Sequence, residues 1–179
     1  KYEVPIYATE GTLNEIKNIK GLGEYPEELL HPILPDTEFA LGDLTVKPFH
    51  IDHDAADPVA YRIQSGNKSV AVATDHLLDL DAVLLESNHD LRMLETGPYP
   101  YYLKRRIMGD FGHLSNENAG RLLNCILSGR LKHILLGHLS KENNIPELAY
   151  ETVRLEIDMG DCPYHADDFH LAVAKRDEM

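Results

Sequence analysis

The sequence predicts a layered α/β fold in which helices cover sheets, and three observations carry that expectation. The first strands come as hairpins. Later strands alternate with stretches of helical periodicity. The length, 179 residues, suits one domain with its own core, so residues 1–179 are read as a single unit.

Taken in order, residues 1–8 read as a strand, with Pro5 near its start, where a strand tolerates proline. Thr9 is a candidate helix cap, and Leu13, Ile16 and Ile19 follow at helical spacing. Residues 21–35, rich in Gly, Pro and charge, read as loop with one helical turn. Residues 39–49 predict a hairpin that turns at Gly42-Asp43. A polar loop over 50–58 leads to strands at 59–63 and 69–74, joined by the turn Ser65-Gly66-Asn67-Lys68. The apolar run Ala82-Val83-Leu84-Leu85 is the next strand. Its join to the previous one is too short for a parallel crossover, which predicts antiparallel pairing or a segment missing from the chain.

Residues 91–107 interleave Tyr99, Tyr101 and Tyr102 with Arg92, Lys104, Arg105 and Arg106. Ser115 caps a predicted helix over 116–128, with Gly129 as its stop. The central strand of the fold is Leu131-Lys132-His133-Ile134-Leu135-Leu136, which runs into Gly137-His138-Leu139-Ser140. Pro146 opens another helix at a position where proline is tolerated. Residues 169–174 form a last strand. A chain that opens in mid-strand without methionine points to residues upstream.

The formal net charge of −13 argues against a broadly basic nucleic-acid-binding surface but leaves room for an enzyme that acts on nucleic acid through bound metal ions. No run approaches the roughly 20 apolar residues of a membrane helix, and no charged-then-apolar leader supports secretion. Cys125 and Cys162 form no CxxC pair; a reducing cytoplasm is the expected setting. Oligomeric state is left open.

The chemistry concentrates where strands end. Ligand sites of α/β proteins tend to lie outside the carboxyl ends of strands. One strand runs out to His50 and His53, another to Asp75 and a third to His138, which suggests a single metal site built from histidine and carboxylate. Such donors suit zinc and manganese. Alone, the loop His50-Ile51-Asp52-His53-Asp54 reads equally well as a solvated acidic turn. Gly112-His113-Leu114-Ser115 is a second Gly-His-Leu-Ser. It sets His113 beside a helix N-terminus, a place suited to a proton donor or phosphate contact.

These motifs together resemble the metallo-β-lactamase superfamily, in its small YycJ-like or WalJ-like exonuclease branch. The matching stretches are His53-Asp54-Ala55-Ala56-Asp57-Pro58, Ala73-Thr74-Asp75, Leu84-Leu85-Glu86-Ser87-Asn88-His89-Asp90, Gly112-His113-Leu114-Ser115-Asn116-Glu117 and Leu136-Gly137-His138-Leu139-Ser140. The resemblance implies a four-layered αβ/βα sandwich with two divalent metal ions between its sheets, zinc or manganese. It implies His53 as a ligand of one metal, Asp75 as the bridging carboxylate and His138 as the last ligand of the other. His113 would protonate the leaving group or steady the phosphate. Ser115, Asn116 and Ser140 are the expected substrate contacts, and Asn88, His89 and Asp90 the expected support behind the ligands.

The superfamily's His-x-His-x-Asp-His motif is absent, although Pro48-Phe49-His50-Ile51-Asp52-His53 imitates its end. The chain therefore reads as the C-terminal portion of a metallo-β-lactamase-like domain, with the N-terminal strands and first metal motif missing and about half a site present. The leading functional expectation is a metal-dependent phosphodiesterase, an exonuclease of DNA or RNA. The alternatives are a hydrolase of small esters, thioesters or lactams, and a non-catalytic regulatory protein that keeps the fold.

Overall fold

The computed structural model describes residues 4–19, 26–51, 55–72, 80–109 and 112–175. A short strand β1 (Ile6–Thr9) leads into α1 (Glu10–Asn18), whose cap is Thr9: its hydroxyl accepts from the Thr12 amide at 3.4 Å. After a 3-10 turn at Glu27–Leu29, β2 (Leu30–Ile33) pairs in parallel with β1 as a two-stranded sheet. Residues 21–35, expected as loop with one helical turn from their Gly, Pro and charge, thus also hold a strand, and β2, at the edge of a two-stranded sheet, tolerates Pro32.

A seven-stranded sheet dominates, in the spatial order β3 (Phe39–Leu41), β4 (Leu44–His50), β5 (Val59–Ser65), β6 (Lys68–Val72), β7 (Ala82–Glu86), β8 (His133–Gly137), β9 (His170–Val173). The first four are joined as antiparallel neighbours. Gly42 at φ +61° and Gly66 at φ +55° make the two tight turns, a conformation that costs glycine nothing. From β6 to β9 every pairing is parallel. Of the two readings of that join, antiparallel pairing is overturned: Val70, Ala71 and Val72 lie in parallel register with Ala82, Val83 and Leu84. Residues 73–79, which make most of that connection, lie outside the described residues.

Helices α2 (Leu91–Thr96) and α3 (Tyr101–Ile107) follow β7. They flank the prolines that hid them, since Pro98 and Pro100 sit in the link between them. Helices α4 (Asn116–Ile126) and α5 (Pro146–Asp158) pack on one face of the sheet. The core there joins Val83, Leu85, Ile134 and Leu136 of the strands to Ala119, Leu123, Val153 and Ile157 of the helices. Alternation along each strand sends the next residues to the opposite face. That face is apolar but open: Val70, Val72 and Leu135 are 38–41% exposed. No helix among the described residues is long and apolar enough to cross a membrane.

Candidate active site

Strand direction assembles the site. Because β4 and β6 are each antiparallel to β5, and β6, β7 and β8 are mutually parallel, β4, β6, β7 and β8 all end at one rim of the sheet. Glu86 is the last residue of β7, and His138 directly follows β8. At Gly137 a Cβ would meet only the end of a side chain on β7, Leu84 Cδ1 at 2.9 Å. His138 itself sits at φ +57°, in the left-handed region that a residue with a side chain avoids at a cost of about 1–3 kcal/mol. The Asn88 side-chain amide donates to the His138 carbonyl at 2.9 Å and holds the turn.

His113 arrives from the other side. Its amide donates to the Ile107 carbonyl at 2.9 Å, which ties it to the end of α3. The close fold-back there depends on Gly112, where a Cβ would fall 2.2 Å from the Ile107 oxygen. Segment 86–90 then stitches the two Gly-His-Leu-Ser turns together. Asn88 donates its amide to Leu114 at 2.8 Å and accepts from the Ser140 amide at 2.7 Å, while Ser87 donates to Gly137 at 3.0 Å. The repeated motif is thus two turns laid on either side of one strand extension.

Glu86 Oε1 lies 2.8 Å from His113 Nδ1 and 2.5 Å from His138 Nδ1, and Oε2 accepts from the Leu114 amide at 3.1 Å. Burial pushes the Glu86 carboxyl up, but the hydrogen bonds from His113, Leu114 and His138 outweigh it and hold it below the usual carboxylate range. An ionised Glu86 only accepts, so each imidazole presents an N–H to it at Nδ1. The rings stand 5.1 Å apart at 65°. The donor atoms of Glu86, His113 and His138 lie within 4.8 Å of one another, a group able to hold a divalent metal.

Of the residues singled out in the sequence, His53 and Asp75 lie outside the described residues. They follow β4 and β6, which end at this rim. His113 and His138 are brought together. Ser115 and Asn116 are not at a surface where substrate could meet them: they are 2% and 0% exposed. Ser115 Oγ accepts from the Asn118 amide at 3.2 Å as the cap of α4. Asn116 Oδ1 accepts from Ser87 Oγ at 2.6 Å and from Asn144 Nδ2 at 2.8 Å, and Asn116 Nδ2 donates to Asn144 Oδ1 at 3.0 Å. Ser140 stays half-buried at the site. Asn88, His89 and Asp90 are buried behind it. Asp90 caps α2 by accepting from the Met93 amide at 2.8 Å. Burial, and then the nearby His113, push the His89 imidazole below its usual value, so it sits neutral under the site. Glu86 is what sequence reasoning missed. It ends an apolar strand as Asp75 does, but its two histidine partners become visible only once β7 and β8 are paired.

Two cavities of about 380 Å³ flank the cluster. One runs from His113 and His138 towards α3 and contains Tyr99, Arg106 and Lys141. The other opens on the apolar sheet face beside Tyr61, Val72 and Leu84.

No protein-family profile matches the chain. Among curated proteins it is 38% identical over 163 residues to Exodeoxyribonuclease WalJ of Streptococcus pneumoniae, covering 86% of this chain and 61% of that protein. It is 36% identical over 163 residues to Exodeoxyribonuclease YycJ of Bacillus anthracis, with the same coverage of 86% and 61%. The chain thus spans about three-fifths of the length of these relatives. Among solved structures, the metallo-β-lactamase fold protein YhfI from Bacillus subtilis superposes with a TM-score of 0.62 at 16% identity, over 96% of this chain and 62% of that one. A diphosphatase from the PhnP family gives 0.56 at 18% identity, over 96% and 55%. Zn(2+)-bound PqqB from Methylobacterium extorquens gives 0.56 at 17% identity, over 95% and 60%.

Proposed function

This chain has the metallo-β-lactamase fold and is a relative of the WalJ and YycJ exodeoxyribonucleases, and from that premise we propose that it forms one side of the active site of a metal-dependent phosphodiesterase, an exonuclease acting on DNA or RNA. The observation that carries this reading is the pair of imidazoles, His113 and His138, held by one half-buried carboxylate at the rim where the strands end.

On this reading His53, Asp75 and His138 would hold divalent ions, zinc or manganese, since imidazole and carboxylate are donors that such ions take. A histidine ligand backed through Nδ1 by a carboxylate is the usual outer-shell arrangement at such ions, and Glu86 supplies it to His138. When bound, the ions supply an activated hydroxide and hold the leaving oxygen. The protein's own residues do the rest. Glu86 fixes the ring planes of both histidines. His113 lines the cavity and, as an imidazolium, would deliver a proton to the departing oxygen, the Glu86 carboxylate at its Nδ1 steadying the charge. Ser140 lines the cavity as a polar contact for the phosphate.

Residues 1–179 are on this reading the C-terminal portion of a single domain, and the His-x-His-x-Asp-His ligands come from sequence outside it. The coverage of only 61% of the curated relatives supports this. So does the open apolar sheet face with Val70, Val72 and Leu135, which suits a second packed layer. The free thiols of Cys125 and Cys162 are in keeping with a cytoplasmic protein.

The test is hydrolysis of end-labelled DNA and RNA by the full-length protein with manganese or zinc. His138→Ala and Asp75→Ala should each lower turnover by at least about 100-fold. Turnover that survives both substitutions would overturn the site assignment. Faster cleavage of esters or thioesters than of phosphodiesters would transfer the same site to small carbonyl substrates.

A further inference from the structure

The loop that leaves β4 and returns as β5 is gripped from outside the large sheet. At its neck the Ile51 amide donates to the Pro58 carbonyl at 3.4 Å. Past the neck the chain leaves the strand ladder, and its carbonyls need other donors. Two threonines at the junction of β1 and α1 supply them. The hydroxyl of buried Thr9 donates to the Asp57 carbonyl at 2.8 Å, and the Thr12 hydroxyl donates to the Ala56 carbonyl at 2.8 Å. Gly11, between the two, admits the loop at close range: a Cβ there would fall 2.6 Å from Cβ of Asp57. Asp57 itself sits at φ +53°, a left-handed conformation that persists where the surroundings impose it.

Docking of the small sheet has other means. The Tyr7 ring stacks on Phe39 of the large sheet with centroids 5.4 Å apart, and the Tyr61 hydroxyl donates to the Tyr7 carbonyl at 3.2 Å. The two threonine bonds go to the loop instead, and the loop borders the site. Ile51 at its start and Val59 just after its end line one recess with Glu86 and His138. His53 lies between them in sequence.

We infer that Thr9, Gly11 and Thr12 form a clamp that fixes the β4–β5 loop at the rim, which makes the two threonines positioning residues for the metal ligand in that loop. The ligand role of His53 rests on the proposed function; the clamp stands on the bonds to residues 56 and 57. Thr9 serves twice, since the oxygen that caps α1 also holds the loop. The start of the helix and the return of the loop therefore form one piece. What the clamp needs at position 12 is a donor: valine keeps the shape of threonine and cannot donate, whereas serine can. What it needs at position 11 is the absence of a side chain.

The test compares Thr12→Val, Thr12→Ser and Gly11→Ala in the full-length protein, with His53→Ala alongside. Thr9 is left in place because its loss would also uncap α1. Zinc affinity is read by competition with a chromogenic chelator, and ligand geometry by the visible absorption of the cobalt-substituted protein. Thr12→Val and Gly11→Ala should each weaken zinc binding about tenfold and change the cobalt spectrum, while the metal-free protein melts close to wild type. Alanine is the better helix former in α1, so a loss in Gly11→Ala traces to the loop and not to the helix. Thr12→Ser should restore both readouts. Wild-type zinc affinity and cobalt spectrum in both Thr12→Val and Gly11→Ala, beside a His53→Ala protein that loses zinc, would overturn the clamp and leave the ligand assignment standing. A zinc loss in Thr12→Val that Thr12→Ser does not restore would also overturn it. Weakened, serine-restored zinc binding in the clamp variants, beside a His53→Ala protein that binds zinc as wild type does, would uphold the clamp and remove His53 as the ligand.

Discussion

The carboxylate oxygen Oε1 of Glu86 is shared by Nδ1 of His113 at 2.8 Å and Nδ1 of His138 at 2.5 Å. One residue at the end of β7 thus sets the orientation of two imidazoles that stand 25 positions apart in the chain and come from different turns. Both rings are expected as the Nδ1–H tautomer, which long-range proton–nitrogen NMR correlations would read directly. Glu86→Gln offers a neutral acceptor and a competing donor. It should weaken zinc or manganese binding by the full-length protein about 10–100-fold. Affinity within a factor of two of wild type would show that the carboxylate does not organise the histidines.

His138 adopts φ +57°, so its placement at the rim carries a local backbone cost. His138→Gly and His138→Ala both delete the imidazole, and only the first relieves the backbone. The glycine variant should be more stable than the alanine variant by about 1 kcal/mol in urea denaturation. Equal stability would mean that the turn is not strained.

The buried amide network behind the site is a further weak point. Asn116 serves Ser87 and Asn144 at once, at 0% exposure. Asn116→Ala takes its acceptor from the buried Ser87 hydroxyl, while Asn144 keeps the Ser87 carbonyl and the Ile145 amide, and should cost about 1–3 kcal/mol. Because Ser87 adjoins Glu86, the variant should also loosen metal binding. Melting and metal titration on one preparation would check both effects.

Much of this fold was legible because strand periodicity, caps and turns agreed with one another. Thr9 and Ser115 were readable as caps from their side chains, and Gly42 and Gly66 as turns from their position between alternating strands. What was hidden was hidden by proline: Pro32 lies inside β2, and Pro98 and Pro100 separate two helices that read as one irregular stretch. At the site, His113 and His138 were visible from the repeated Gly-His-Leu-Ser. Glu86 was not, because a lone glutamate at a strand end gives no sign of its partners until β7 and β8 are paired in register. Ser115 and Asn116 look polar and accessible in sequence, yet the bridge between His89 and Ser115 draws them inside.

The opposite rim of the sheet is closed by Asp81. It accepts from Lys68 Nζ at 2.7 Å, from Arg130 at 2.9 Å and from the Ser69 amide at 3.0 Å. Lys68 first, then Arg130 and the Ser69 amide, hold its carboxyl well below the usual carboxylate range. A carboxyl depressed in the folded state contributes stability above its unfolded pKa, and that contribution is lost as pH falls through the folded value. Asp81→Asn should therefore melt below wild type at pH 7, with a constant gap down to about pH 5. The gap should then narrow steadily at lower pH. A gap that widens on acidification would exclude the ion-pair origin.

Gly120 lies in the middle of α4, where glycine costs about 1 kcal/mol relative to alanine. On propensity alone, Gly120→Ala should stabilise the protein. Packing points the other way. A Cβ at 120 would fall 2.4 Å from Cβ of Glu156 on α5 and 3.3 Å from the Val153 carbonyl oxygen. Neither is the free end of a flexible side chain, so the helices must separate. Forcing such a contact costs about 1–3 kcal/mol, which equals or exceeds the propensity gain. The separation would also disturb Ala119 and Leu123, which are buried against the strands that carry Glu86 and His138. Gly120→Ala should thus be neutral to destabilising by about 2 kcal/mol in urea denaturation. A stability gain approaching 1 kcal/mol would mean that α4 and α5 meet less closely than 2.4 Å implies.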